Sequence, residues 1–205
     1  MIGLPDGISK LTKVRIAIPP GMLCECHSSG EVFDFLEKNQ GLTEEFIYKY
    51  TNPAVDQLPV YTASYEPIGF LPKDMPLHIS SGEVIIIFRQ GYAGKMYIPR
   101  HQEFFASEHT IPIRVKPEFV DRLNQYWFVH YYEQEVLHYV TGKADSRNFS
   151  ELAFEKVTVL LPPKDWQDEC AQLYKQMDEN ILALQDTIDH LRVKPVRETH
   201  EPPNP

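Results

Sequence analysis

Gly82-Glu83-Val84-Ile85-Ile86-Ile87-Phe88-Arg89-Gln90-Gly91-Tyr92-Ala93-Gly94-Lys95 decides the fold. Val84 to Phe88 are five apolar, mostly β-branched residues in a row, the pattern of a strand buried on both faces at the centre of a sheet. Gln90 to Gly94 supplies a turn, and residues 95–98 return as a hairpin partner. From 84 to 100 there are three bases, Arg89, Lys95 and Arg100, and no acid. This stretch is therefore the place where a phosphate or a base edge would be accepted.

Upstream, Ser28-x-x-Glu31 is a capping-box pattern ahead of Val32, Phe33, Phe35 and Leu36, which predicts a short helix from near Gly30 to Gly41. Thr43-Glu44-Glu45 before Phe46, Ile47 and Tyr48 predicts a second capped turn. From there to Pro76, Pro and Gly recur too often for long elements. Downstream, residues 110–115 alternate like a strand, and Lys116-Pro117-Glu118 opens a helix expected over 117–139. Residues 143–150 read as a polar loop, and 154–161, with Val157, Val159 and Leu161, as a last strand before Pro162-Pro163.

Beyond those prolines Cys170, Tyr174, Met177, Ile181, Leu184, Ile188 and Leu191 keep a 4-3-4-3-4-3 spacing, a coiled-coil seam. A helix over about 165–192 is roughly 42 Å long at 1.5 Å per residue, more than a body of this size needs for packing. Its narrow apolar stripe, through Tyr174, Met177, Ile181, Leu184, Ile188 and Leu191, is expected to pair with a helix from a second copy, the alternative being that it folds back on its own domain. Residues 194–205 hold four prolines and read as a disordered tail. The domain expectation is a body over 1–163, with 1–27 unplaced, a dimerisation and spacer helix over 164–193, and the tail. The fold class is α+β, a compact mixed sheet-and-helix body followed by one long helix.

The chain has 205 residues, 42% hydrophobic and 24% charged, which fits one globular domain with an appendage. No apolar run approaches the roughly 18 residues that cross a bilayer, and residues 1–20 lack the pattern of a signal peptide, so a cytoplasmic protein is expected. The net charge of −9 argues against unselective coating of nucleic acid or membrane. The charge is uneven, however: residues 165–205 hold nine acids against four bases.

Familiar chemistry is absent from the pattern. Cys24-x-Cys26-His27 has no second Cys/His pair to complete four zinc ligands, so no metal is expected. Gly91-x-x-Gly94-Lys95 has Arg89 and Met96 where a phosphate loop needs Gly and Ser or Thr. His130 and His138 are eight apart, not the four of a metalloprotease helix. Ser107, His109 and Asp121 form a triple of the kind most chains contain. What remains is a set of polar and aromatic groups on loops: Tyr61, Thr62 and Ser64; Arg89, Gln90, Tyr92 and Lys95; Ser107 and His109; Lys143, Asp145, Arg147 and Asn148. Arg, Gln, Asn and Lys match base edges in a major groove, and Ser, Thr and Tyr suit phosphates. The bland reading pairs Arg89 with Glu103 or Glu108 and leaves the rest as turn polarity.

Several stretches together resemble the target recognition domain of type I restriction-modification specificity subunits. They run in order from about Gly30 to Arg192: Val32-Phe33-Asp34-Phe35, Gly41-Leu42-Thr43-Glu44-Glu45-Phe46-Ile47-Tyr48, Leu58-Pro59-Val60-Tyr61-Thr62-Ala63-Ser64, and Ile68-Gly69-Phe70. The strand and turn from Gly82 to Lys95, Ser107-x-His109, the aromatic helix, the loop from Gly142 to Asn148 and Leu160-Leu161-Pro162-Pro163 complete the series. The chain departs from the family in having one recognition unit where two are common, Trp166-Gln167 where Glu-Gln is common, and an unmatched segment over 1–27.

The resemblance implies a prokaryotic, non-catalytic specificity subunit without a cofactor. It would read one half of a double-stranded DNA site through Tyr61, Thr62, Ser64, Arg89, Gln90, Tyr92, Lys95, Ser107, His109, Lys143 and Arg147. The helix would make a homodimer, and separate methyltransferase and restriction subunits would dock on it. The alternatives are a coiled-coil interaction module with no DNA role, and a catalytic domain built on Asp121, His130 or Glu133.

Overall fold

The computed structural model describes residues 15–193 except 53, 81, 83, 144 and 145, without the side chains of 189 and 191–193. Glu83, Asp145, the Leu191 side chain, the whole segment before residue 15 and the tail over 194–205 lie outside the described residues. In chain order the elements are β1 (Glu25–Ser28), α1 (Ser29–Val32), β2 (Phe33–Phe35), α2 (Glu44–Tyr50), β3 (Gln57–Tyr61), β4 (Gly69–Pro72) and β5 (Val84–Phe88). There follow β6 (Met96–Tyr97), β7 (Phe105–Ala106), β8 (Thr110–Val115), a 3-10 turn (Pro117–Phe119), α3 (Gln125–Leu137), α4 (Glu151–Phe154), β9 (Thr158–Leu161) and α5 (Lys164–Val193). The fold is α+β, with three small sheets ordered β2-β8-β5-β6, β4-β3-β7 and β1-β9.

β5 is the central strand that its composition predicts, hydrogen-bonded to β8 on one side and β6 on the other. All five of its residues are buried. Ile85 and Ile87 face a large core with α3, β9 and the start of α5, while Val84 and Ile86 face a second core with Tyr61, Ile79 and Phe104. At about 1.5–3 kcal/mol per buried aliphatic side chain, this strand alone contributes a stabilisation comparable to a small domain's net stability.

Four expectations are corrected. The capping box at Ser28 forms, with the Ser28 N–H donating to Glu31 Oε2 at 2.6 Å, but the helix lasts one turn and Phe33–Phe35 is a strand paired antiparallel to β8. The pairing wins because it places Phe33 between Phe128 and Phe154, at ring distances of 4.7 and 5.7 Å. The helix expected over 117–139 is a 3-10 turn and then α3, because Asn124 is extended and caps the second piece, accepting from the Trp127 N–H at 3.0 Å. The last strand covers only Thr158–Leu161 and pairs with β1, so part of the unplaced 1–27 segment completes a sheet.

The fourth correction concerns α5. Its first turns belong to the domain: Gln167, Cys170, Ala171 and Tyr174 are buried. Gln167 Nε2 donates to the carbonyls of Arg122 and Pro162, both at 2.8 Å, and its Oε1 accepts from the Asn124 N–H at 2.9 Å. Tyr174 stacks on His130 at 4.7 Å, and its hydroxyl accepts from the Ile16 N–H at 2.8 Å. Asp178 closes this joint by hydrogen-bonding Tyr126 and lying 3.3 Å from His130 Nε2. Tyr174 is therefore core rather than a free dimerisation surface, and Met177 is partly buried beside it. Farther out, Leu184 is 64% exposed and Ile188 43%.

A chain ended at Glu179 is expected to keep the cooperative urea transition of the full chain. One ended at Pro163 loses Gln167, Cys170 and Tyr174 from the core and should show no such transition. A normal unfolding curve for the shorter chain would mean that α5 is an appendage after all.

Candidate nucleic-acid interface

The loops singled out by sequence converge at one edge of the fold, and backbone hydrogen bonds tie them in series. The Ser107 N–H donates to the Tyr61 carbonyl at 3.0 Å, and the Arg89 N–H to the His109 carbonyl at 2.9 Å. The Arg89 carbonyl in turn accepts from the Phe149 N–H at 2.9 Å. Arg89, immediately after β5, thus joins the loops after β7 and α3, and the end of β3 is tied in through Ser107. The last is closed by a Thr141–Asn148 bridge, whose tight turn needs Gly142 at φ +90°.

The turn after β5 is held against α3. Gly94 has φ +82°, and a Cβ there would lie 2.6 Å from Val140 Cγ2, so both the conformation and the space require glycine. Lys95 follows, and its ammonium donates to Glu133 Oε1 at 2.9 Å, while Glu133 Oε2 accepts from the Met96 N–H at 3.3 Å. Glu133 is only 2% exposed. A carboxylate buried to that degree is tolerable only when paired and hydrogen-bonded.

The predicted residues therefore divide. Gln90, Tyr92, Lys143 and Arg147 are exposed, and Thr62, Ser64, Arg89 and His109 half-buried, so these eight can meet a ligand. Tyr61 and Ser107 are buried, contrary to the expectation that they are presented. Ser107 Oγ accepts from the His109 N–H at 3.2 Å, shaping the loop from inside, and the Tyr61 hydroxyl is 2.8 Å from His101 Nδ1. Lys95 is likewise an anchor for Glu133 rather than a presented cation. Sequence reasoning missed Glu133 and His101 as partners, since each contact spans about forty residues of chain.

Beneath the loops lies an aromatic cluster. Tyr65 contacts Phe88 at 4.9 Å, Tyr97 at 5.4 Å and Tyr92 at 6.0 Å, while Tyr61 contacts Phe104 at 5.5 Å and Tyr97 at 5.8 Å. Burial raises the pKa of Tyr65 and Tyr97, with nearby acidic and phenolic groups adding to the effect, so both stay neutral and act as rigid packing. The bland pairing of Arg89 does not occur: Glu103 binds Lys73 at 2.5 Å, and Glu108 accepts from the Gly41 N–H at 3.1 Å. Among the described residues Arg89, Arg100, Lys143 and Arg147 stand in no ion pair, and Arg89 Nε is buried without a hydrogen-bond partner. Unpaired cations beside aromatic and amide groups can accept phosphates and base edges. Among the described residues no group of His, Cys, Asp and Glu could hold a metal ion, and no helix is long and apolar enough to cross a membrane.

No family model matches the chain, and no curated protein does. Solved structures do. The S subunit of the type I restriction-modification system from M. genitalium superposes with a TM-score of 0.61 at 13% identity, covering 86% of this chain and 45% of that one. A chain of a type I R-M system solved for its complex assembly and conformational transition gives 0.61 at 17%, covering 86% and 43%. The HsdS subunit from Thermoanaerobacter tengcongensis gives 0.57 at 16%, covering 84% and 41%. The chain spans less than half the length of each of these structures. At the level of fold, then, the resemblance read from the sequence holds: the chain has the fold of part of the type I restriction-modification S subunits it matches.

Proposed function

We propose that this chain is a DNA-reading specificity subunit of a type I-like restriction-modification system. Its body reads one half-site of duplex DNA, and the outer part of α5 pairs with a second copy or a counterpart subunit, setting the distance between half-sites. The observation that carries this reading is the convergence of Thr62, Ser64, Arg89, Gln90, Tyr92, His109, Lys143 and Arg147 on one edge, organised around the Arg89 backbone. The chain itself is non-catalytic and needs no cofactor. A methyltransferase subunit, and a restriction subunit with it, would dock on this chain in a prokaryotic cytoplasm and perform the chemistry. The domain division belongs inside α5, after about Met177, with Ile181, Leu184, Ile188 and Leu191 as the pairing surface.

A second reading, an interaction module without DNA binding, is favoured by the net charge of −9 and the exposed Leu184 and Ile188. The two readings differ in salt-controlled duplex binding. With the modification partner present, Arg89→Ala should weaken cognate binding by about 1–3 kcal/mol and scrambled duplex far less, if the guanidinium grips a guanine. Equal losses on both duplexes would remove the base-reading role. Lys95→Ala should act differently, lowering stability by about 2–4 kcal/mol in urea unfolding because it removes the cation that offsets the buried Glu133 carboxylate. A fully stable Lys95→Ala that only loses DNA affinity would return that lysine to the interface.

Light scattering on the purified chain tests the arm. Leu184→Glu with Ile188→Glu should convert a dimer to a monomer and leave the unfolding midpoint of the body unchanged. A dimer that persists would locate the interface elsewhere.

A further inference from the structure

Residues 98–103 join β6 to β7, and three successive side chains in this loop, Arg100, His101 and Gln102, are exposed. They lie at the opposite end of β5 from the Arg89 turn. Tyr97 sits opposite Ile86 and Met96 opposite Ile87, so the chain beyond Tyr97 runs back past the start of β5. There Pro99, Arg100, His101 and Gln102 line a hollow of about 370 Å³ with Gly82 and Val84.

The loop is held in several places. The Tyr61 hydroxyl is 2.8 Å from His101 Nδ1. Lys73 binds Glu103, and Phe104 exchanges backbone hydrogen bonds with Ile79 at 2.8 and 3.1 Å. Ordering a surface loop costs conformational entropy, so this tethering presents its polar heads at a defined place. Between the two ends runs the loop after β3: Tyr61 reaches His101, Ala63 lies beside Gly91, and Tyr65 touches Tyr92. These contacts tie the Gln102 end to the Gln90 end through the loop after β3.

We propose that Arg100 and Gln102 are specificity-determining residues that read base edges at the far end of the half-site from Arg89 and Gln90, and that Tyr61 is the positioning residue that holds them through His101. The proposal rests on the DNA-reading function above. The chemistry fits: an arginine fork matches guanine O6 and N7, and a glutamine amide matches adenine N6 and N7. The length fits as well. Five strand residues at about 3.3 Å span roughly 16 Å, about five base pairs at 3.4 Å each.

The test is a selection from random duplexes at fixed salt, using the full chain with its modification partner. Wild type is compared with Arg100→Ala, Gln102→Ala, Tyr61→Phe and Gln90→Ala. Gln102→Ala is expected to relax one base position by about ten- to a hundredfold, some four to five base pairs from the position relaxed by Gln90→Ala. Tyr61→Phe, which keeps the ring and loses the hydroxyl, should relax the Arg100 and Gln102 positions and leave the Gln90 position intact. A general loss of stability would not give that pattern. The proposal is overturned if Arg100→Ala and Gln102→Ala select the wild-type site while Gln90→Ala does not, which leaves the DNA-reading function standing. It is overturned equally if they weaken all duplexes alike with a shallower salt dependence, the mark of phosphate contact. Failure to select any duplex removes both the function and this inference.

Discussion

β5 serves two cores at once, and this double burial is the constraint on which the arrangement depends. Ile85 and Ile87 are packed with α3 and α5, and Val84 and Ile86 with Tyr61 and Phe104. A slip of one residue would exchange the two sets and misfit both, so register is fixed without any polar device. Because the strand cannot slide, its ends are fixed points. Arg89 leaves one end with both backbone groups bonded to other loops, and residues 98–102 return past the other. The candidate interface is in this sense an outgrowth of core packing: loops carry the polar groups, and the strand decides where they stand.

Electrostatics then sorts the cations. Lys38, Lys73, Lys95, Lys116, Arg122 and Lys164 are each in an ion pair, several of them joining distant parts of the chain. Arg89, Arg100, Lys143 and Arg147 at the edge are not so engaged among the described residues. A net charge of −9 is thus compatible with local unpaired cations, since residues 165–205 hold nine acids against four bases and so carry −5 of it. At physiological ionic strength the Debye length is about 8 Å, so exposed charges farther apart than that largely ignore one another. What the overall charge does suppress is loose attachment to any polyanion.

The legible part of the fold was the part governed by local pattern. An unbroken β-branched run can only be a doubly buried strand here, Thr43 caps α2 as its sequence suggests, and the alternation before Pro162 is a strand. What was illegible depends on partners remote in sequence. Phe33 and Phe35 follow a genuine capping box and carry apolar spacing that suits a helix, yet β8, some eighty residues away, offers them a better place. Asn124 looks like one more polar residue on a long helix until Gln167 takes its N–H. At the candidate site, sequence chemistry found the right loops but not which side chains face outward. Tyr61, Ser107 and Lys95 have the functional groups of DNA contacts and are instead claimed by His101, His109 and Glu133.

The seam of α5 shows the same ambiguity in its sharpest form. A regular 4-3 spacing states that one face of a helix is apolar, and nothing in the spacing says what covers it. Here the cover changes along the length. Cys170 and Tyr174 pack under the domain, Met177 is half-covered, and Leu184 and Ile188 stand open. One continuous stripe is thereby divided between a part covered by the domain and a part that stays exposed. The change-over falls near Asp178, which hydrogen-bonds Tyr126 and lies 3.3 Å from His130 Nε2. Fixing the helix firmly at its base is what makes the open part useful. An arm hinged loosely at Pro163 would let its far end wander, whereas one clamped through Gln167, Tyr174 and Asp178 holds Leu184 and Ile188 at a set distance and direction from the loops around Arg89.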